Sequence, residues 1–272
     1  MNEQIPVLFD EVISLKKINE KSYRAECPAS WRGGRGQAQG GVLAAQLLEA
    51  MTLTVSDFEK PPHSITVQLL RAPTIESYEI EVTQVRSGRT TSNLRAEMIQ
   101  DGKISAIALG LFAKHRDGPE FNEIPIPDSS GPDLDRKPDS YTPEFSLPFA
   151  NQVVVQQRLG TRPFTTNEGP MDIAGWIGFT EKRPIDAAGL MVLCDAQLCP
   201  WWTRFEEMIP SATVDYTVHF RGDLPCSTEH EFVFIQCESK LAKGGFVDWD
   251  AIVWDPNGTL LCQARQQVIA PL

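Results

Sequence analysis

Ala187–Pro200 reads AAGLMVLCDAQLCP, and Val42–Val55 reads VLAAQLLEAMTLTV. Each stretch is apolar on more than one face, which predicts a buried helix that other elements must cover. Asp195 is the only charged residue in the first stretch. Residues three and four positions away on a helix share its face, and here those are Met191, Val192, Leu198 and Cys199. The carboxylate therefore projects from the apolar stripe, and Pro200 is expected to stop the helix. An unpaired carboxylate in such a place raises its pKa or finds hydrogen-bond donors. Either response suits a residue that handles a proton or a water. The position also suits an Asp that reaches solvent or a neighbouring basic residue.

Working outward, the two halves of the chain repeat one order of elements: a strand and a loop, a mostly apolar helix, then a series of strands. In the first half the helix follows Gly40–Gly41. Strands are predicted at His63–Arg71, Tyr78–Arg86, Ser92–Gln100 and Ile104–Lys114, with Asp101–Gly102 as a tight hairpin turn. In the second half they fall at Ala212–Arg221, Glu231–Glu238, Gly245–Trp254 and Leu260–Ala270, with Asn257–Gly258 as the matching turn. HSITVQLLR and ATVDYTVHFR both end in Arg, and aligning Arg71 with Arg221 sets His63 opposite Thr213. Between the halves, Lys114–Phe149 holds seven prolines and no sustained apolar period, which marks a linker. The expected organisation is an N-terminal domain over 1–113, a linker over 114–149 and a C-terminal domain over 150–272. A helix wrapped by antiparallel strands, made twice, predicts an α+β fold of two half-sheets joined edge to edge.

Composition excludes several classes. A formal charge of −11 argues against a nucleic-acid or anionic-membrane surface, which needs concentrated Lys and Arg. The opening MNEQIPVLFDEVISLKK has no basic region followed by an apolar stretch, and no apolar run is long enough to span a bilayer, so a cytoplasmic protein is expected. The six cysteines have no CxxC pair and the four histidines form no cluster, so neither a metal nor another cofactor is expected.

Several short motifs resemble the type II acyl-CoA thioesterases. In the first half these are Gln39–Gly40–Gly41 opening the helix, His63–Ser64 beginning a strand that ends Leu70–Arg71–Ala72–Pro73, and Arg86–Ser87–Gly88–Arg89. In the second half they are Asp195 in CDAQLCP, Thr213 in SATVDYTVHFR and Gln266 in QARQQVIA. The resemblance implies a double hotdog, two curved antiparallel sheets each wrapping a long central helix. It further implies that Asp195, Thr213 and Gln266 hold a hydrolytic water. Strand alternation agrees for Gln266, which falls on the apolar side with Cys262, Ala264, Val268 and Ala270. For Thr213 alternation points the other way, onto a face shared with Asp215, Thr217 and His219.

The chemistry implied is hydrolysis of an acyl-CoA by direct attack of one oriented water, which suits a chain with no GxSxG. Backbone N–H groups at the helix N-terminus would meet the thioester carbonyl, with Gly40–Gly41 letting a ligand approach closely, although the glycines equally suit close helix–strand packing. Arg86, Arg89, Lys240 and Lys243 are the candidates for the CoA phosphates, and exposed cations in turns are also commonly just solvated. A homo-oligomer is expected. The competing readings are a hotdog enoyl-CoA hydratase, for which no Asp-x4-His pair is present, and a non-hydrolytic acyl-thioester-binding protein.

Overall fold

The computed structural model describes residues 8–33, 36–73, 77–139, 147–166, 168–226 and 231–270. In the first half a short helix α1 (Phe9–Ile13) and two strands, β1 (Lys16–Asn19) and β2 (Ser22–Ala25), precede helix α2 (Gly40–Val55). Strands β3 (Pro62–Leu69), β4 (Tyr78–Ser87), β5 (Thr91–Gln100) and β6 (Lys103–Ala113) follow. In the second half β7 (Val153–Gly160) and β8 (Met171–Phe179) precede helix α3 (Ala187–Ala196). That half is completed by β9 (Ala212–Phe220), β10 (Val233–Ser239), the two-residue β11 (Ala242–Lys243), β12 (Phe246–Trp254) and β13 (Leu260–Ile269).

The strands form one continuous antiparallel sheet. From the β3–β9 junction it runs outward as β3-β6-β5-β4-β2-β1 on one side and β9-β13-β12-β10-β8-β7 on the other, the same plan twice. The expected edge-to-edge join is thus a full ladder, from Ser64–His219 to Gln68–Asp215, with the Thr66 and Thr217 hydroxyls 3.0 Å apart. The helices lie against the inner face and against each other. Gly41 makes that approach possible: a Cβ there would stand 2.7 Å from the Met191 carbonyl oxygen and 2.9 Å from the Val192 Cα.

Some sequence expectations need correction. Helix α3 ends at Ala196, four residues before Pro200, so Leu198 and Cys199 are not on the face of Asp195. A residue preceding proline is forced toward extended backbone, and Cys199 adopts it at φ −68°, ψ 121°. Pro200 opens a short 3-10 turn instead of closing the helix. Asp101–Gly102 is the expected tight turn, with both residues at positive φ. At Asn257–Gly258 only Gly258 has positive φ, and the loop is longer, held by the Asp255 carboxylate, which accepts from the Asn257 and Thr259 N–H groups.

The segment expected as a linker is partly a strap. Ile124 and Ile126 pack on an outer-face cluster of Val154, Ala174, Trp176, Phe232, Phe234 and Trp254. The ring N–H groups of Trp176 and Trp254 donate to the Ser130 and Ile124 carbonyls at 2.7 and 3.0 Å. This cover is why β8 is buried on both faces, against the alternation expected of a half-solvated strand. Part of the segment, residues 140–146, lies outside the described residues.

Candidate active site

Every residue of α3 is buried except Ala187 and Asp195. Asp195 sits one residue before the helix end, where its carboxylate reaches the N-terminus of α2. Its Oδ2 accepts the Gly41 N–H at 2.7 Å, and a Cβ on Gly40 would lie 3.3 Å from the same oxygen. Glycine at 40 therefore keeps the approach to the carboxylate clear. The N-terminal end of a helix favours negative charge, and Gly41 supplies one of its unpaired N–H groups.

Thr213 and Gln266 join this carboxylate. The Thr213 hydroxyl lies 2.7 Å from Gln266 Oε1 and 3.5 Å from Asp195 Oδ1. It has one proton, and the shorter contact takes it, which leaves the Gln266 amide nitrogen toward Asp195. Burial raises the Asp195 pKa, opposed first by the Gly41 N–H and then by the polar side chains of Gln266, Thr213 and nearby Gln39.

Thr213 arrives here through a β-bulge. Along β13 the partners are Gln266 with Tyr216, Gln267 with Asp215, then Val268 with Thr213, so Val214 is the extra residue. Directly opposed residues share a face, and Val268 is buried on the inner one. The bulge therefore turns Thr213 from the outer face, where simple alternation puts it, to the inner face beside Gln266. The face expected from alternation is corrected by one inserted residue.

The same bulge corrects the comparison of the halves. In β3 the unpaired residue is His63, three positions before Thr66, as Val214 is three positions before Thr217 in the central junction pair. The counterpart of Thr213 is thus Pro62, not His63, and that of Gln266 is Gly110, two residues before the partner of Pro62. Proline has no hydroxyl, and the Met51 sulfur stands 2.6 Å from where a Gly110 Cβ would be. Glu49, part-buried in α2, faces the other helix start: burial raises its pKa first, and the charge of Asp186 next. Asp186 caps α3 by accepting the Gly189 N–H at 2.6 Å and is paired with Arg183.

The cation candidates divide. Lys243 in β11 pairs with Phe246, which pairs with Ile269, itself opposite Ala212, so Lys243 shares the sheet end that holds Thr213. Lys240 is at this end too, paired with Glu238. Arg86, in strand β4 instead of a turn, and Arg89, in the β4–β5 turn, are exposed at the opposite end of the sheet, away from Asp195. Gln39 is a site residue that sequence reasoning passed over while attending to the glycines beside it.

The cysteines offer no nucleophile. All six are free and buried, burial pushes Cys27 and Cys226 up to about 11, and it raises Cys199 and Cys237 as well. Cys194 is held high by its hydrogen bond with Cys262 and by burial.

Paired half-sheets, each wrapped on its own helix, with one carboxylate, hydroxyl and amide set where the helices meet, define a double-hotdog protein. Residues 27–113 match the acyl-CoA thioesterase N-terminal domain, and residues 127–270 match the acyl-CoA thioesterase C-terminal domain. The chain belongs to the acyl-CoA thioesterase family and is a thioester hydrolase. Among solved structures it is similar to a hot dog fold protein of unknown function from Alicyclobacillus acidocaldarius, at 23% identity and a TM-score of 0.85 over 98% of this chain and 99% of that one. It is similar in fold to the tesB protein of Mycobacterium avium subs paratuberculosis, at 18% identity and a TM-score of 0.79 over 97% and 98% of the two chains. The acyl-CoA thioesterase II TesB2 of Mycobacterium marinum is 18% identical, with a TM-score of 0.76 over 97% of this chain and 96% of its own. No curated protein matches the chain.

Proposed function

We propose that the chain hydrolyses an acyl-CoA to free acid and CoA, using one water held by Asp195, Thr213 and Gln266. The observation that carries this reading is the convergence of those three side chains from α3, β9 and β13 at the start of α2. Asp195 takes the proton as the water oxygen attacks the thioester carbon. The tetrahedral centre then collapses, the C–S bond breaks, and the proton passes to the leaving thiolate. No covalent acyl-enzyme is needed, in keeping with six buried cysteines.

The Gly41 N–H is already given to Asp195, so it orients the base instead of meeting the carbonyl as sequence reading suggested. The Gly40 N–H, one residue earlier, has no acceptor among the described residues and is the better-placed donor to the carbonyl oxygen. Lys243 and Lys240 are the cations at this end that suit the CoA phosphates. Among the described residues no helix is long and apolar enough to cross a membrane. Buried free thiols suit a reducing compartment, and the reading includes a cytoplasmic role in fatty-acid metabolism as a homo-oligomer.

The test is release of free thiol from a panel running from butyryl-CoA to palmitoyl-CoA. Asp195→Asn keeps the shape and loses the base, so turnover falls about 10²–10⁴-fold with the fold intact. Parent-level hydrolysis by that variant would remove Asp195 from the role of base.

A further inference from the structure

Gln39 caps α2 with only half of its amide. Its Oε1 accepts the Val42 N–H at 2.9 Å, which is all that a cap requires. Ser, Thr, Asp and Asn do this with shorter side chains, and the twin helix α3 uses Asp186, whose carboxylate is fully engaged by the Gly189 N–H and Arg183. The surplus at residue 39 is an NH₂ group. Gln39 is 5% exposed, and its Nε2 is buried with no hydrogen-bond partner. Leaving a buried donor unpaired is costly, so such a group calls for an explanation. This one lies beside the Asp195 carboxylate, close enough to favour its charged form, and one residue from the free Gly40 N–H.

We infer that Gln39 is a further catalytic residue, its Nε2 donating to the thioester carbonyl oxygen alongside the Gly40 N–H. The inference rests on the water site proposed above. The geometry divides the labour. Thr213, bonded to Gln266, approaches Asp195 at Oδ1, where the water would sit. The start of α2 meets Oδ2 through Gly41 and Gly40, with Gln39 the residue before them, and there the carbonyl oxygen would gain charge as the water attacks. A donor with no partner in the resting protein is free to strengthen its bond as that charge develops, which accelerates the chemical step.

Capping and donation can be separated by substitution. Gln39→Ser and Gln39→Asn keep an acceptor for the first turn of α2 but withdraw the NH₂ group from the carbonyl position. Gln39→Met loses both. Melting temperature, kcat and KM are measured for each, with the best-hydrolysed acyl-CoA of the same panel, beside Asp195→Asn. The expected result is that Ser and Asn variants melt near the parent while Met melts lower. All three should lose about 10²-fold or more in kcat with KM changed little, as for removal of one oxyanion donor. Parent-level kcat in the Ser and Asn variants, with loss only in Met, would reduce Gln39 to a cap. That result leaves the water site standing if Asp195→Asn is inactive. If Asp195→Asn retains turnover, the water site falls and takes the Gln39 assignment with it.

Discussion

As pH falls, Asp195 takes up a proton, with opposite effects on stability and activity. Burial raises its pKa, so the folded chain binds this proton more tightly than the unfolded one. Its contribution to stability is fully present below the unfolded value, about 3.9, and is lost as pH rises through the higher folded value. Only the carboxylate can take a proton from water, so kcat/KM rises over the same window, with an acid limb above the ordinary carboxylate range. Asp195→Asn removes the titration, and its melting temperature should exceed the parent's at neutral pH and lose that lead in acid. An offset unchanged between acid and neutral pH would show that this carboxyl carries no burial penalty. Asp195 and Gln266 were legible because each is a polar residue on an otherwise apolar face. Gln39 was not, because half of its amide performs an ordinary structural task. The placement of Arg86 and Arg89 was not legible either, since it depends on which end of the sheet the helix starts face.

Strand and helix identities followed from local periodicity, and the eight strands predicted after the two helices all form within a few residues of their expected bounds. What periodicity cannot contain is an inserted residue. Val214 is one more valine in a β-rich run, yet it reverses the side of everything before it. Deleting Val214 would set Thr213 next to Asp215 and opposite Val268 in a regular ladder, still on the inner face. That variant should stay closer to the parent than Thr213→Val, which should lose turnover roughly tenfold or more, as expected for loss of a hydrogen bond at the water. Circular dichroism and steady-state kinetics on both variants test this. A Val214 deletion that folds but turns over no faster than Thr213→Val would mean that facing inward is not enough to place the hydroxyl at the water. The early end of α3 was, by contrast, available in the sequence, because Cys199–Pro200 forbids helix at residue 199.

Two copies of one plan need not carry two sites. Pro62 and Gly110 stand where the second half has Thr213 and Gln266, and Met51 fills the space before Gly110. Glu49 remains as a lone acid facing another carboxylate, Asp186. Glu49→Gln should therefore keep parent-like turnover while Asp195→Asn loses it, and near-equal losses would restore a two-site molecule. The duplication was legible from element order alone. Its true register was not, because the Arg71–Arg221 match is one residue away from the pairing that the junction and the two bulges set. The ladder between β3 and β9 also governs how the chain comes apart. Melting either half strips the other of a bonded neighbour along five residue pairs, so the halves lose structure together. A half produced alone would offer the eight residues of β3, or the nine of β9, as an unguarded template, and its readiest partner would be another copy of itself.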